Sequence, residues 1–226
     1  MTENIGEYEK IILEIIQNYL NKNRCFRIEQ IVPFIKLRLK ESSINLNRRG
    51  IREILGSLIK KKKILERSKL VRDDVLNNMN RRKIFNFICE NPGVNFNKIA
   101  KKLQLSNYVL AWHIKILIKF EFIRTKVIKN HETFFNADLP TDKDEEFFYI
   151  SNEKSKIIIN YLIQNQEGCH KTQIGKDLNM HSSTVLKYVN KLEKYRILLK
   201  KQLSRKKIYF LNESVYSKIM GSRITY

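Results

Sequence analysis

Apolar residues recur along most of this chain at intervals of three and four, the spacing of helices that bury one face. Ile84, Phe85 and Ile88 predict a short helix over residues 81–90, stopped by Asn91-Pro92-Gly93. Asn95 can cap a second helix running to Leu103, with Ile99 and Leu103 inward. Gln104-Leu105-Ser106 reads as a tight turn, and Ser106 or Asn107 opens a third helix to about Phe120. The period then changes to two. Residues 122–127 and 133–135 read as strands around a Lys129-Asn130-His131-Glu132 loop.

The same pattern returns 75 positions later without a gap. Ile84 falls on Ile159, Ile99 on Ile174, Leu110 on Val185, Leu117 on Leu192, and Phe134-Phe135 on Tyr209-Phe210. A spacing this long indicates duplicated domains. In the second copy the helices span 154–164, 171–178 and 181–195, and a hairpin joins 197–200 to 207–211. Helix, helix-turn-helix and hairpin make a winged helix. A weaker third copy precedes both. It has an amphipathic stretch over 8–20, a helix over 28–39 that tolerates Pro33 near its start or with a kink, a third helix from Arg48 to Lys61, and a short wing within 64–71. Gly50 and Gly56 weaken that third helix by roughly 1 kcal/mol each relative to Ala. The expected fold is therefore mainly α with small β-hairpin wings: tandem winged helices at 1–78, 79–140 and 150–226, with an exposed acidic linker at 141–149.

Composition adds direction. Lys and Arg outnumber Asp and Glu by 44 to 23, a formal charge of +21. Such a surface attracts polyanions, since phosphates neutralised by cations release condensed counterions. A hydrophobic share of 42% separates this chain from disordered basic tails. Cys25, Cys89 and Cys169 are isolated and lack CxxC spacing, which fits a reducing, cytoplasmic setting. Cys169-His170 with His181 is a poor zinc set. The N-terminus does not read as a signal peptide, and no apolar run reaches membrane-spanning length. No phosphate-binding glycine loop is present, and Ser182-Ser183 near His170 or His181 lacks a nucleophile elbow. A non-enzymatic protein without cofactor or metal, and without membrane insertion, is expected.

At Leu105-Ser106-x-x-x-Leu110-x-x-His113-x-x-x-Leu117-x-x-x-x-x-Ile123 the chain resembles winged-helix regulators of the ArsR and MarR type. It looks most like archaeal predicted regulators with two winged helices in tandem. The resemblance covers about residues 80–215, with Met180-x-Ser182-Ser183-Thr184-Val185 matching in the second copy. It implies a DNA-binding transcriptional regulator whose partner is double-stranded DNA. Winged helices also serve as interaction scaffolds in transcription or ESCRT-like complexes, which is the alternative.

In this fold the third helix enters the major groove and the wing touches phosphate or minor groove. For the last unit that assigns Ser182, Ser183, Lys187, Asn190 and Lys191 on the helix. It also assigns Lys200, Lys201, Arg205, Lys206 and Lys207 on the wing. In the first unit Arg48, Arg49 and Arg52, followed by the lysines at 60–63, can hold phosphate. The middle unit departs from this pattern. Tyr108, Trp112 and Ile116 put an apolar stripe where a reading helix should be polar. An interface with another domain or a second copy is expected there, with Trp112 largely buried and His113 structural.

Overall fold

The computed structural model describes residues 2–203 and 206–221, with the side chains of all but 2–5 and 206 among them. The chain is mostly helical with two small three-stranded antiparallel sheets, an arrangement consistent with winged-helix-like domains. It divides into two compact units. One comprises residues 1–82 and 113–121, the other 83–112 and 122–226.

The first unit opens with α1 (Thr2–Lys22), α2 (Ile28–Glu41) and α3 (Arg48–Lys60). Each carries an inward stripe at helical spacing: Ile12, Ile16 and Leu20 on α1, Ile31, Ile35 and Leu39 on α2, and Ile51, Ile54, Leu55 and Leu58 on α3. These residues form one continuous core with Phe26, Ile64 and Val71. Pro33 lies inside α2 on its exposed side. Asn47 caps α3 by accepting the Gly50 N–H at 2.8 Å. The expected short wing is a single antiparallel bridge, Ile64 with Val71. A one-turn helix, α4 (Arg72–Val75), follows, and the Arg72 guanidinium donates to the Phe120 carbonyl.

From α5 (Met79–Glu90) onward the elements come twice. The first set is α5, β1 (Val94–Asn95), α6 (Phe96–Leu103), α7 (Asn107–Lys119), β2 (Ile123–Ile128) and β3 (His131–Asn136). After α8 (Asp144–Ile150), the second is α9 (Glu153–Gln164), β4 (Cys169–His170), α10 (Lys171–Asp177), α11 (Ser182–Lys194), β5 (Leu198–Leu203) and β6 (Lys206–Leu211). A terminal helix, α12 (Glu213–Gly221), closes the described chain. Both sheets have the same order, with the short strand beside the last: β1-β3-β2 and β4-β6-β5. Every strand bound of the first set falls on one of the second at the 75-residue offset read from sequence, and so do both bounds of the third helix. The backbone repeats as well: Gly93 and Gly168 both take the left-handed conformation, with φ of 82° and 81°.

Two expectations about connections need correction. The first hairpin turns on Lys129-Asn130 alone, because both residues adopt positive φ (52° and 61°). Such two-residue turns match the twist of paired strands, so β2 runs to Ile128 and β3 begins at His131, inside the expected four-residue loop. The supposed exposed acidic linker at 141–149 is a 3-10 turn (Thr141–Lys143) followed by α8, and much of it is buried. Asp144 is 1% exposed. The Arg124 guanidinium grips both of its carboxylate oxygens at 2.7 and 2.8 Å and donates to the Leu139 carbonyl at 3.0 Å, while Lys126 Nζ lies 3.2 Å away. Phe147 and Ile150 on the same helix join the core around α9 and α11.

Two tests follow from these buried polar groups. Asp144→Asn leaves Arg124 without its charge partner, and removing one member of a buried pair costs about 3 kcal/mol or more; chemical denaturation should show that loss, and an unchanged midpoint would contradict the assignment. His113 is 4% exposed, and burial, aided by the Arg81 charge, lowers its pKa below the usual 6.5. The unfolded chain then binds the proton more readily than the folded one. Stability is fully present above about pH 6.5 and is lost as pH falls below it through the lowered folded value. A denaturation series from pH 8 to 5 should show this decline, and His113→Leu should flatten it.

Candidate nucleic-acid interface

Helix α11 has two chemically distinct faces. Val185, Val189 and Leu192 are buried. Across the helix Ser182, Leu186, Lys187 and Asn190 are exposed. The N-terminus is fixed by His181, whose Nδ1 accepts the Ser183 N–H at 3.3 Å and lies 2.7 Å from Ser183 Oγ. The helix leads directly into the β5–β6 hairpin, where Lys201 and Lys207 are exposed. The hairpin is fastened below its tip by β4, and His170 Nδ1 lies 2.9 Å from the Lys207 carbonyl oxygen.

Several predicted contact residues already have partners inside the protein. Lys200 donates to Glu193 on α11, a bond that raises the lysine pKa. Lys191 stands over the Tyr149 ring, 5.4 Å from its centroid. The Ser183 hydroxyl is engaged by His181. These three are each held by another group of the protein, although Ser183 and Lys200 remain exposed. Arg205 lies outside the described residues, as does the side chain of Lys206. Ser182, Lys187, Asn190, Lys201 and Lys207 are exposed, as are Ser183 and Lys200 beside their partners, and Lys187 Nζ lies 6.0 Å from the centroid of the Tyr188 ring.

Sequence reasoning missed what holds α11 in place. Tyr149 on α8 stacks on Tyr195 at the end of α11, with centroids 5.7 Å apart and planes 25° apart. Lys129, at the tip of the first hairpin, lies over the same Tyr149 ring at 4.7 Å, and Lys194 lies over Tyr195 at 4.9 Å. The Tyr195 hydroxyl donates to Glu145, a bond that holds this carboxyl below its usual pKa. Helix α8 thus ties the turn of one hairpin to the third helix of the next set. The Phe147-Phe148-Tyr149 run was the available signal, outweighed in sequence by the acidic residues before it.

The other two sets of candidate residues fare differently. Arg48 and Arg52 at the start of α3 are exposed, whereas Arg49 pairs with Glu53 at 3.0 Å on the surface. The lysine run after α3 is mostly engaged: Lys61 with Glu9 at 2.7 Å, Lys62 with Glu121 at 3.9 Å and Lys63 with Asp73 at 3.6 Å. On α7 the apolar stripe is real in geometry but not covered as expected. Tyr108 is 83% exposed, Trp112 51%, and Ile116 is half-buried. The expectation that Trp112 is largely buried therefore fails within the chain. The inward face of α7 is filled by Leu110, Ile114 and Leu117, which leaves the indole on the outer side. At the 75-residue offset, Tyr108, Trp112 and Ile116 fall on Ser183, Lys187 and Lys191. The two third helices thus keep the same inward positions and differ on the outward ones.

No family model matches the chain. The chain is similar to an uncharacterized HTH-type transcriptional regulator of Methanocaldococcus jannaschii, 35% identical over 153 residues. That similarity covers 67% of this chain and 38% of the relative, so the chain spans well under half of the relative's length. Among solved structures, a crystal structure of a protein from Corynebacterium diphtheriae gives 10% identity and a TM-score of 0.26, covering 62% of this chain and 27% of that one. No helix among the described residues is long and apolar enough to cross a membrane.

Proposed function

We propose that the chain is a non-enzymatic transcriptional regulator that binds double-stranded DNA, with α11 in the major groove and the β5–β6 hairpin against phosphate. Each of the two copies is then a winged helix, at 79–140 and 150–226, with a third, reduced one at 1–78. Such a protein works in the cytoplasm, with sequence-specific or semi-specific binding. The observation that carries this reading is the outward face of α11, small, polar and cationic at Ser182, Lys187 and Asn190, continuous with a hairpin bearing exposed Lys201 and Lys207. Short polar side chains allow close approach to base edges, and flanking cations meet the phosphates. The similarity to a protein named as an HTH-type transcriptional regulator supports the same reading.

A second reading is favoured by the exposed stripe on α7. Tyr108 and Trp112 suit a protein surface better than a duplex, whose base faces are stacked away. In this reading the copy at 79–140 joins two copies of the chain, or serves as a scaffold for another protein. Trp112→Ala would then shift sedimentation toward monomer while leaving duplex affinity per chain nearly unchanged. A monomeric wild-type chain whose Trp112→Ala variant loses DNA binding would return this face to the DNA.

Duplex binding should weaken steeply with salt. Four to six neutralised phosphates give a log–log slope of roughly −4 to −5. Lys201→Glu with Lys207→Glu should weaken duplex binding by about tenfold or more, while Lys101→Glu with Lys102→Glu on α6 should change it little. Fluorescence anisotropy with a labelled duplex, single strand and RNA hairpin measures both. Salt-independent binding, or equal loss from the two pairs, would remove α11 and its hairpin as the contact surface.

A further inference from the structure

A cavity of about 650 Å³ opens in the second unit, beside β1 and between α6 and the α8–α9 junction. Its size falls within the roughly 300–1,000 Å³ typical of small-molecule sites. It lies apart from α11 and the second hairpin, and nothing in the proposed DNA contact uses it. Phe87, Pro92, Val94 and Phe148 supply apolar walls. The approach of Phe148 to Gly93 closes one side: a Cβ on Gly93 would stand 3.0 Å from the Phe148 backbone and ring, and its φ of 82° disfavours any other residue.

The polar lining is lopsided in charge. Lys98, Lys101 and Lys102 project from α6 at i, i+3 and i+4, one helical turn apart, and all three line the cavity. The carboxylate that lines it is Glu153, 3.7 Å from Lys98. Asn95 and Asn152, also in the lining, spend their side-chain oxygens capping α6 and α9. The site therefore offers ammonium donors above an apolar floor. An inorganic anion would leave the aromatic and aliphatic walls unused, and a neutral apolar molecule would leave the lysines to water.

We infer that this cavity binds a small amphipathic organic anion, a carboxylate carried on an aryl or short alkyl body. The carboxylate meets Lys101 and Lys102 at the rim, and the body packs on Phe87, Val94 and Phe148. This site stands on the cavity and its cations and does not depend on DNA binding.

Isothermal titration calorimetry on the full chain tests it, with 3-phenylpropionate, octanoate and indole-3-acetate as probes and 3-phenylpropanamide as the neutral isostere. One site per chain is expected for at least one acid. The amide of the aryl acid should bind about tenfold or more weakly, the scale of one charge-assisted contact. Lys101→Gln with Lys102→Gln should weaken the acid by a similar factor, whereas Lys115→Gln with Lys119→Gln, on the exposed side of α7, should leave it unchanged. Equal binding of acid and amide would overturn the inference, as would equal loss from both lysine pairs. Absence of heat for all three acids at millimolar concentration would overturn it too. A loss of duplex affinity in the Lys101/Lys102 variant, without acid binding to the wild-type chain, would assign these cations to phosphate instead. Because calorimetry contains no nucleic acid, its failure is separable from any failure of the DNA reading.

Discussion

A carboxylate taken out of water must be compensated, and Asp144 is compensated by the two-pronged grip of Arg124 from the neighbouring strand. That requirement fixes where α8 can lie. Once Asp144 is held at the side of the first sheet, Phe147 and Ile150 reach the core around α9 and α11, and Tyr149 meets Tyr195. The cations Lys129 and Lys191 then share one ring. The short acidic stretch is therefore a structural joint, and it sets the third helix of the last copy against the hairpin of the copy before it.

Duplication explains the frame, and divergence explains the chemistry. The inward positions of α7 and α11 coincide at the 75-residue offset: Leu110 with Val185, Ile114 with Val189 and Leu117 with Leu192. Core packing penalises change there, since a lost methylene leaves a cavity. The outward positions are not held by core packing, although His181 engages Ser183 and Tyr149 engages Lys191. One copy bears Tyr108, Trp112 and Ile116, the other Ser183, Lys187 and Lys191. The same scaffold thus presents an apolar face once and a polar, cationic face once.

Much of this was legible in the sequence. The periodicity of Ile84, Ile88 and Ile99 and its return at 75 residues located helices and hairpins to within a few residues. Asn95 caps α6 as its position suggested. Strands β1 and β4 were not legible, because two residues are too few to show a period. The engagement of Lys200 by Glu193 and of Lys191 by Tyr149 was hidden for another reason. A cation looks the same in sequence whether it faces solvent or a neighbouring element. Helix α8 was misread because its acidic residues suggested solvation, while its burial is decided by Arg124, distant in sequence.

The most direct measurement is hydrogen–deuterium exchange of the chain with and without a bound duplex. Placement of α11 and its hairpin on DNA predicts slowed exchange confined mainly to residues 181–194 and 198–211, with residues 96–103 unchanged. Protection centred on residues 107–119, or spread evenly along the chain, would contradict it.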